Sequence, residues 1–374
     1  MAVHGARGRC ARGDWALYEA WVKLLTGEAD TALVHSYGKS SPGRLRDVLT
    51  RQLDPYYLAP LWPDSVALAA LQAQALIDAG DTDEAALAAV AGRNRIAAVA
   101  NPYAQERGDR PQGEYVVRPL RRGDCPPVLF APHVRAYMRR TDAPDTVGAL
   151  VAYKDRRNAL RNPYAHLHEK DITMEKVRSS PMLWDPIRYS ETCPSSDGAC
   201  AMVLTDEAGG RRAPGPVAWV HGGAMRSEPT MFAGKDFVSP RAGRDCAADV
   251  YRQAGITDPR RQIDAVEMYV PFSWYEPMRL ENIGFAPEGE GWKLTESGVT
   301  ELDGDLPVNP SGGVLSTNPI GASGMIRFAE ATLQVRGTAG GHQVDGARPA
   351  PGHAYGGGSQ FFALWVVGSG HPGE

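Results

Sequence analysis

Between residues 309 and 324 the chain reads NPSGGVLSTNPIGASG and runs directly into MIRFAEATLQV, a helical pattern. A glycine-rich stretch opening a helix can cradle a phosphate, make a plain turn, or present an active-site loop. The phosphate reading fails, because no lysine follows the glycines as in a P-loop and no G-x-G-x-x-G occurs there. Asn318 stands in the middle of the stretch. Its amide can donate to a developing oxyanion but cannot take a proton. His221-Gly222-Gly223 follows an apolar segment in the manner of an esterase oxyanion motif, yet no G-x-S-x-G elbow accompanies it. His166 and His168 alternate on a segment read as exposed, and metal binding is not expected there. The five cysteines, Cys10, Cys125, Cys193, Cys200 and Cys246, contain no C-x-x-C pair, so no structural zinc is expected.

The elements that must position these residues are built from 374 residues, enough for one large core or two medium domains. A hydrophobic content of 43% with 22% charged residues is ordinary for a globular protein. The net charge of -4 gives no positive field for nucleic acid, and the short basic runs read as solvated faces. No run of about 18 apolar residues is present, so no membrane span is expected. The start, MAVHGARGRCARGDW, lacks the apolar core of a secretory signal. With few, scattered cysteines, the expected compartment is the cytoplasm.

The spacing predicts a helix over 15–27 and a short strand over 29–38, an α/β rhythm. Strong alanine-rich helices are expected over 66–80 and 83–100. Beyond 197 the pattern predicts strands at 198–206, 216–224 and 263–272, and helices at 247–256, 273–285 and 325–336. A glycine-rich turn then leads into an apolar strand ending at 368, read as buried on both faces. Asn101-Pro102-Tyr103-Ala104 recurs as Asn162-Pro163-Tyr164-Ala165. Arg118-Pro119-Leu120-Arg121 with Asp124-Cys125-Pro126 is likewise echoed by Asp185-Pro186-Ile187-Arg188 with Thr192-Cys193-Pro194. The shared order of landmarks favours duplication or fusion over chance, with copies near 66–128 and 129–196.

Three places carry a family resemblance. Val266-Glu267-Met268-Tyr269-Val270-Pro271-Phe272 is followed by Leu280-Glu281-Asn282-Ile283-Gly284-Phe285. Asn309-Pro310-Ser311-Gly312-Gly313 is followed by Thr317-Asn318-Pro319-Ile320-Gly321-Ala322-Ser323-Gly324. Gly352-His353-Ala354-Tyr355-Gly356-Gly357-Gly358 closes the series. In this order they resemble the C-terminal half of the thiolase superfamily, most closely its sterol-carrier-protein type, the lipid-transfer-protein thiolases. Cys10-Ala11-Arg12-Gly13-Asp14-Trp15-Ala16-Leu17 looks like a looser version of the family's nucleophile motif. The resemblance covers 10–38 loosely and 197–368 well.

It implies an α/β fold of layered αβαβα type, with mixed sheets and a helical loop domain. The N-terminal half reads as incomplete. The implied division is a partial N-terminal half at 1–38, a duplicated loop region at 39–196, a last strand of that half at 197–212 and a C-terminal half at 213–374. It further implies carbon–carbon chemistry on acyl-CoA thioesters, with coenzyme A thioester as substrate and no tightly bound cofactor. The implied partners are a second copy, a thiolase-like chain or a small OB-fold chain. The family's two histidines are replaced, by Tyr269 and by Asn318, and the cysteine of the first motif by Pro271. Tyrosine in this region resembles relatives that cleave steroid side chains by retro-aldol chemistry. Tyr269, Asn318, His353 and Cys10 are therefore the catalytic candidates, with His353 the remaining base. Asn309, Gly312, Gly313, Ser323 and Gly357 are the substrate-binding candidates. Loss of both histidines equally admits an inactive acyl-CoA-binding subunit.

Overall fold

The computed structural model describes residues 12–39, 74, 77–80, 83–90, 126–228, 236–357 and 359–372. Cys10, Cys125 and most of the first echo copy lie outside them. The backbone forms two compact units, 1–41 with 127–374, and 42–126. The second contributes only short described helical segments. All the described site candidates lie in the first.

That unit opens with α1 (Arg12–Leu25) and β1 (Thr31–Gly38). Next come α2 (Pro126–Thr141), α3 (Val147–Ala159) and α4 (Met174–Arg178). The short strands β2 (Met182–Trp184) and β3 (Ile187–Arg188) precede β4 (Gly198–Thr205), α5 (Glu207–Arg211) and β5 (Trp219–Ser227). The remainder is α6 (Arg241–Ala254), α7 (Pro259–Gln262), β6 (Glu267–Met268), α8 (Tyr275–Asn282) and α9 (Gly291–Glu296). It ends with α10 (Gly313–Ser316), α11 (Ser323–Val335), β7 (Pro349–Gly356) and β8 (Phe361–Gly368).

The principal sheet has the order β5-β8-β7-β6. Its first three strands pair antiparallel, and β6 joins β7 in parallel through Glu267↔Gly352 and Met268↔His353. β8 shows why the sheet is covered on both sides. Phe362, Leu364 and Val366 belong to one core cluster, with Cys246, Ala247 and Val250 of α6. Trp365 and Val367 belong to the other, with Met325, Phe328 and Ala331 of α11 and Leu17 of α1. Alternate side chains of a strand point to opposite faces, so a continuous apolar run fits a strand between two helical layers. A separate antiparallel pair, β1 with β4, runs in register from Thr31↔Thr205 to Gly38↔Gly198.

Two local expectations shift. The strand foreseen over 263–272 joins the principal sheet only at Glu267–Met268, with isolated bridges at Val266 and Phe272, and the chain from Val270 onward turns towards α8. The expected glycine-rich loop at 352–358 is largely strand: Gly352–Gly356 continue β7, and the turn falls at 357–360. The prolines at 349 and 351 lie outside the short β6 pairing, and on that side Pro349 O accepts from Asp264 N (3.1 Å). Gly352 lets α11 lie against the strand, since a Cβ there would come 2.5 Å from Phe328 Cα.

Candidate active site

The 309–324 segment is pinned from below. Asn309 is fully buried with φ 53°. Its Oδ1 accepts from Met268 N (2.8 Å) and its Nδ2 donates to Asp155 Oδ2 (3.3 Å), tying the loop to β6 and α3. Gly312 adopts φ 89°, and a Cβ there would sit 2.6 Å from Ala159 Cβ, so the loop lies directly on the end of α3. Gly313 starts α10, with Ser311 Oγ accepting from its N–H (3.2 Å). Ser311 is itself held by Glu267 (2.8 Å) and Arg327 (2.7 Å), and Glu267 pairs with Arg327. Asn309, Gly312 and Gly313 are thus committed to the shape of the loop.

On this base the loop turns Asn318 towards β6. Asn318 N donates to Ser196 Oγ (2.9 Å). Its Oδ1 accepts from Ser323 Oγ (2.7 Å), at the start of α11, and from Tyr269 Oη (3.4 Å). Its Nδ2 donates to Cys193 Sγ (3.2 Å). Tyr269 and Asn318 are each 4% exposed. The structure therefore brings together Tyr269, Asn318 and Ser323, three residues expected at the site. It adds Cys193, which the sequence showed only as a repeat landmark. The available signal was its position just before Asp197-Gly198-Ala199, at the entry to β4.

His353 lies inside β7, with 1% of its surface exposed and neither ring nitrogen bonded. Burial, with the Arg279 charge nearby, pushes its pKa down to about 3, so it is neutral imidazole. Its backbone carbonyl accepts from Tyr269 N (3.1 Å). Gly357 has φ 62° in the β7–β8 turn. Next to it, Ser359 N donates to Tyr355 Oη (2.9 Å), and Arg279 Nη2 donates to Ser359 Oγ (3.1 Å). The Arg279 guanidinium, wholly buried, lies 5.0, 4.8 and 5.0 Å from the rings of Tyr275, Tyr355 and Phe362. The rings of Tyr355 and Tyr269 are 6.0 Å apart, which places this cationic cluster behind the Tyr269–Asn318 pair. Among the described residues no group of His, Cys, Asp and Glu is arranged to hold a metal ion.

This arrangement can meet a thioester oxygen with neutral donors: an amide N–H of Asn318, and the phenol of Tyr269 once it gives up its 3.4 Å bond to Asn318 Oδ1. None of the partners of Asn318 is a histidine.

The family model described as thiolase C-terminal domain-like matches residues 223–369. The covering of one mixed sheet by helices on both faces and the placing of two motif loops at its end agree with that match over the C-terminal part of the chain. The chain's similarity extends to an acetyl-CoA acetyltransferase and to sterol carrier proteins. It is 34% identical to an acetyl-CoA acetyltransferase of Methanothermobacter thermautotrophicus over 62% of this chain and 60% of that protein. It is 32% identical to sterol carrier protein 2 of Bos taurus over 59% of this chain and 41% of that protein. The chain thus spans well under two thirds of the length of these relatives. Among solved structures, one titled "Ltp2-ChsH2(DUF35) aldolase" superposes with TM-score 0.70 at 21% identity, covering 96% of this chain and 78% of that one, and shares its fold.

Proposed function

We propose that this protein makes or breaks a carbon–carbon bond next to the carbonyl of a lipid or steroid acyl-CoA thioester, with retro-aldol chemistry replacing thiolysis. One observation carries this reading: Tyr269 and Asn318 meet through a hydrogen bond at the two motif positions where the superfamily resemblance would place histidines. Both side chains offer hydrogen-bond donors and neither is a good base near neutral pH, where a phenol has a pKa of about 10. Such a pair stabilises a thioester enolate rather than driving a thiol into attack. The aldolase title of the structural neighbour supports aldol-type cleavage, and the sterol-carrier names of the relatives support a lipid or steroid substrate. The two names joined in that title support a hetero-oligomer, for which the family resemblance offers a small OB-fold chain or a thiolase-like chain as partner, and a homodimer is the other assembly consistent with this reading. Coenzyme A enters as part of the substrate, not as a resident cofactor.

The test is Tyr269→Phe, assayed by mass spectrometry for the thioester released from a β-hydroxyacyl-CoA with a steroid side chain. Turnover falls by about 10² or more while the thermal melt is kept, since removing one oxyanion donor costs roughly 3–4 kcal/mol. Unchanged turnover removes Tyr269 from the chemistry. The burial of His353 favours a second reading, an acyl-CoA-binding subunit without catalysis. It expects heat on titration with octanoyl-CoA and no product from any acyl-CoA, with or without a partner chain.

A further inference from the structure

Among the described residues Cys193 is the one cysteine that the fold carries into the Tyr269–Asn318 pair, and three observations make its place more than packing. The Asn318 amide is oriented by its neighbours: Oδ1 accepts from Ser323 (2.7 Å) and Tyr269 (3.4 Å), and Nδ2 faces the sulfur at 3.2 Å. An amide nitrogen carries two hydrogens, and only one is taken by Sγ. The sulfur is also anchored beside the strand end that carries Tyr269. Cys193 N donates to Pro271 O (3.0 Å), and Thr192 forms a bridge with Phe272. Finally, a cation stands behind it. Arg156 is 5% exposed, donates from Nη2 to Thr192 O (3.3 Å), keeps Nε without a hydrogen-bond partner, pairs through Nη1 with Glu169 and lies within electrostatic range of Cys193.

A sulfur carrying negative charge here meets both an N–H donor and a guanidinium. The other two described cysteines are placed differently. Burial pushes the thiols of Cys200 and Cys246 up to about 11 and about 12. Cys193 is partly exposed and has a donor aimed at its sulfur.

We propose that Cys193 is the acid–base group at the carbon α to the thioester carbonyl. The inference rests on the acyl-CoA reading above. A thioester oxygen bound by the second N–H of Asn318 has its α-carbon two bonds away, on the side of an amide nitrogen whose other hydrogen points to Sγ. In the cleaving direction the electron pair of the breaking carbon–carbon bond passes to the α-carbon and the thioester oxygen. The departing fragment leaves as a carbonyl compound, and its hydroxyl proton goes to solvent. The Cys193 S–H proton passes to the α-carbon, and the resulting thiolate regains a proton from water. No oxidant or reductant is needed, and no acyl–cysteine bond forms.

The experiment is α-hydrogen exchange. The full chain is incubated with octanoyl-CoA in deuterium oxide, and the recovered thioester is weighed by mass spectrometry. Binding is followed separately by calorimetry. The wild type introduces deuterium at the α-carbon. Cys193→Ser, nearly isosteric, and Cys193→Ala both slow exchange about 10²-fold or more, while octanoyl-CoA affinity changes less than threefold. Cys193→Asp restores part of the exchange with its pH profile moved to lower pH, as a carboxylate base requires. A Cys193→Ser protein that exchanges at the wild-type rate overturns the proposal. So does a wild type that binds octanoyl-CoA and exchanges nothing. A wild type that does not bind octanoyl-CoA instead removes the acyl-CoA reading itself, and this assignment with it.

Discussion

Asn318 takes two hydroxyls on its oxygen and a sulfur on its nitrogen, so each end of one neutral amide has a distinct task. Asn318→Asp separates them. The carboxylate keeps an acceptor for Ser323 and Tyr269, so their hydroxyls stay satisfied. It replaces the N–H facing Cys193 with an acceptor oxygen and adds a negative charge beside the sulfur. A like charge within a few ångströms disfavours the thiolate, the form that reacts. Iodoacetamide alkylation of Cys193, followed by peptide mass mapping, slows about tenfold at pH 8 in Asn318→Asp relative to wild type. Equal rates mean that the amide does not act on the sulfur. The same substitution lowers turnover through loss of the oxyanion donor, whereas the alkylation readout does not depend on substrate.

At the scale of elements, the strand that positions His353 was the hardest to read from sequence. β8 was legible because Phe362, Ala363, Leu364, Trp365, Val366 and Val367 form an unbroken apolar run, and that pattern fits a strand buried on both faces. β7 was not, because Pro349, Pro351 and Gly352 argue locally for a loop. Tertiary packing overrides them: the strand borrows its ladder from β8 and its cover from α11. The site divides in the same way. Tyr269 and Asn318 could be found from their motif positions along the chain. Cys193 was harder to find, because its contact with Asn318 spans 125 residues and its local mark is only its place just before Asp197-Gly198-Ala199. Gly352 tests the packing. A methyl there would lie 2.5 Å from Phe328 Cα and 2.8 Å from Phe328 N, both backbone atoms that cannot swing aside. Gly352→Ala should cost about 1–3 kcal/mol, the usual toll of overpacking, read as a lower urea midpoint with an unchanged m-value. An unaltered midpoint would show that α11 can shift freely from the sheet.

At the scale of the whole molecule, the catalytic loop rests on buried charge rather than on a purely apolar floor. Lys154 donates to Glu276 (2.7 Å) and lies 3.3 Å from Asp155, which in turn accepts from Asn309. Carboxylates outnumber the cations near the loop, and burial disfavours their charged form. Asp155 is pushed up to about 8 by burial, and Asp14 and Glu191 to about 7 for the same reason. In an unfolded chain these groups titrate near 4, so between pH 6.5 and 8.5 they carry protons only in the folded state. Folding therefore binds protons in this window, and unfolding free energy falls as pH rises. His353 is silent here. Its pKa is pushed down to about 3, so it is neutral when folded, and an unfolded histidine is already mostly neutral above pH 6.5. Urea denaturation at pH 6.5 and 8.5 should show a loss on the order of 3 kcal/mol at the higher pH. In Asp14→Asn the loss should be smaller by roughly a quarter, because the amide has no proton to give up. Stability that stays level or rises across this window would mean that these carboxylates are charged in the folded protein, and that the loop's floor holds more positive charge than Lys154 and Arg327 supply.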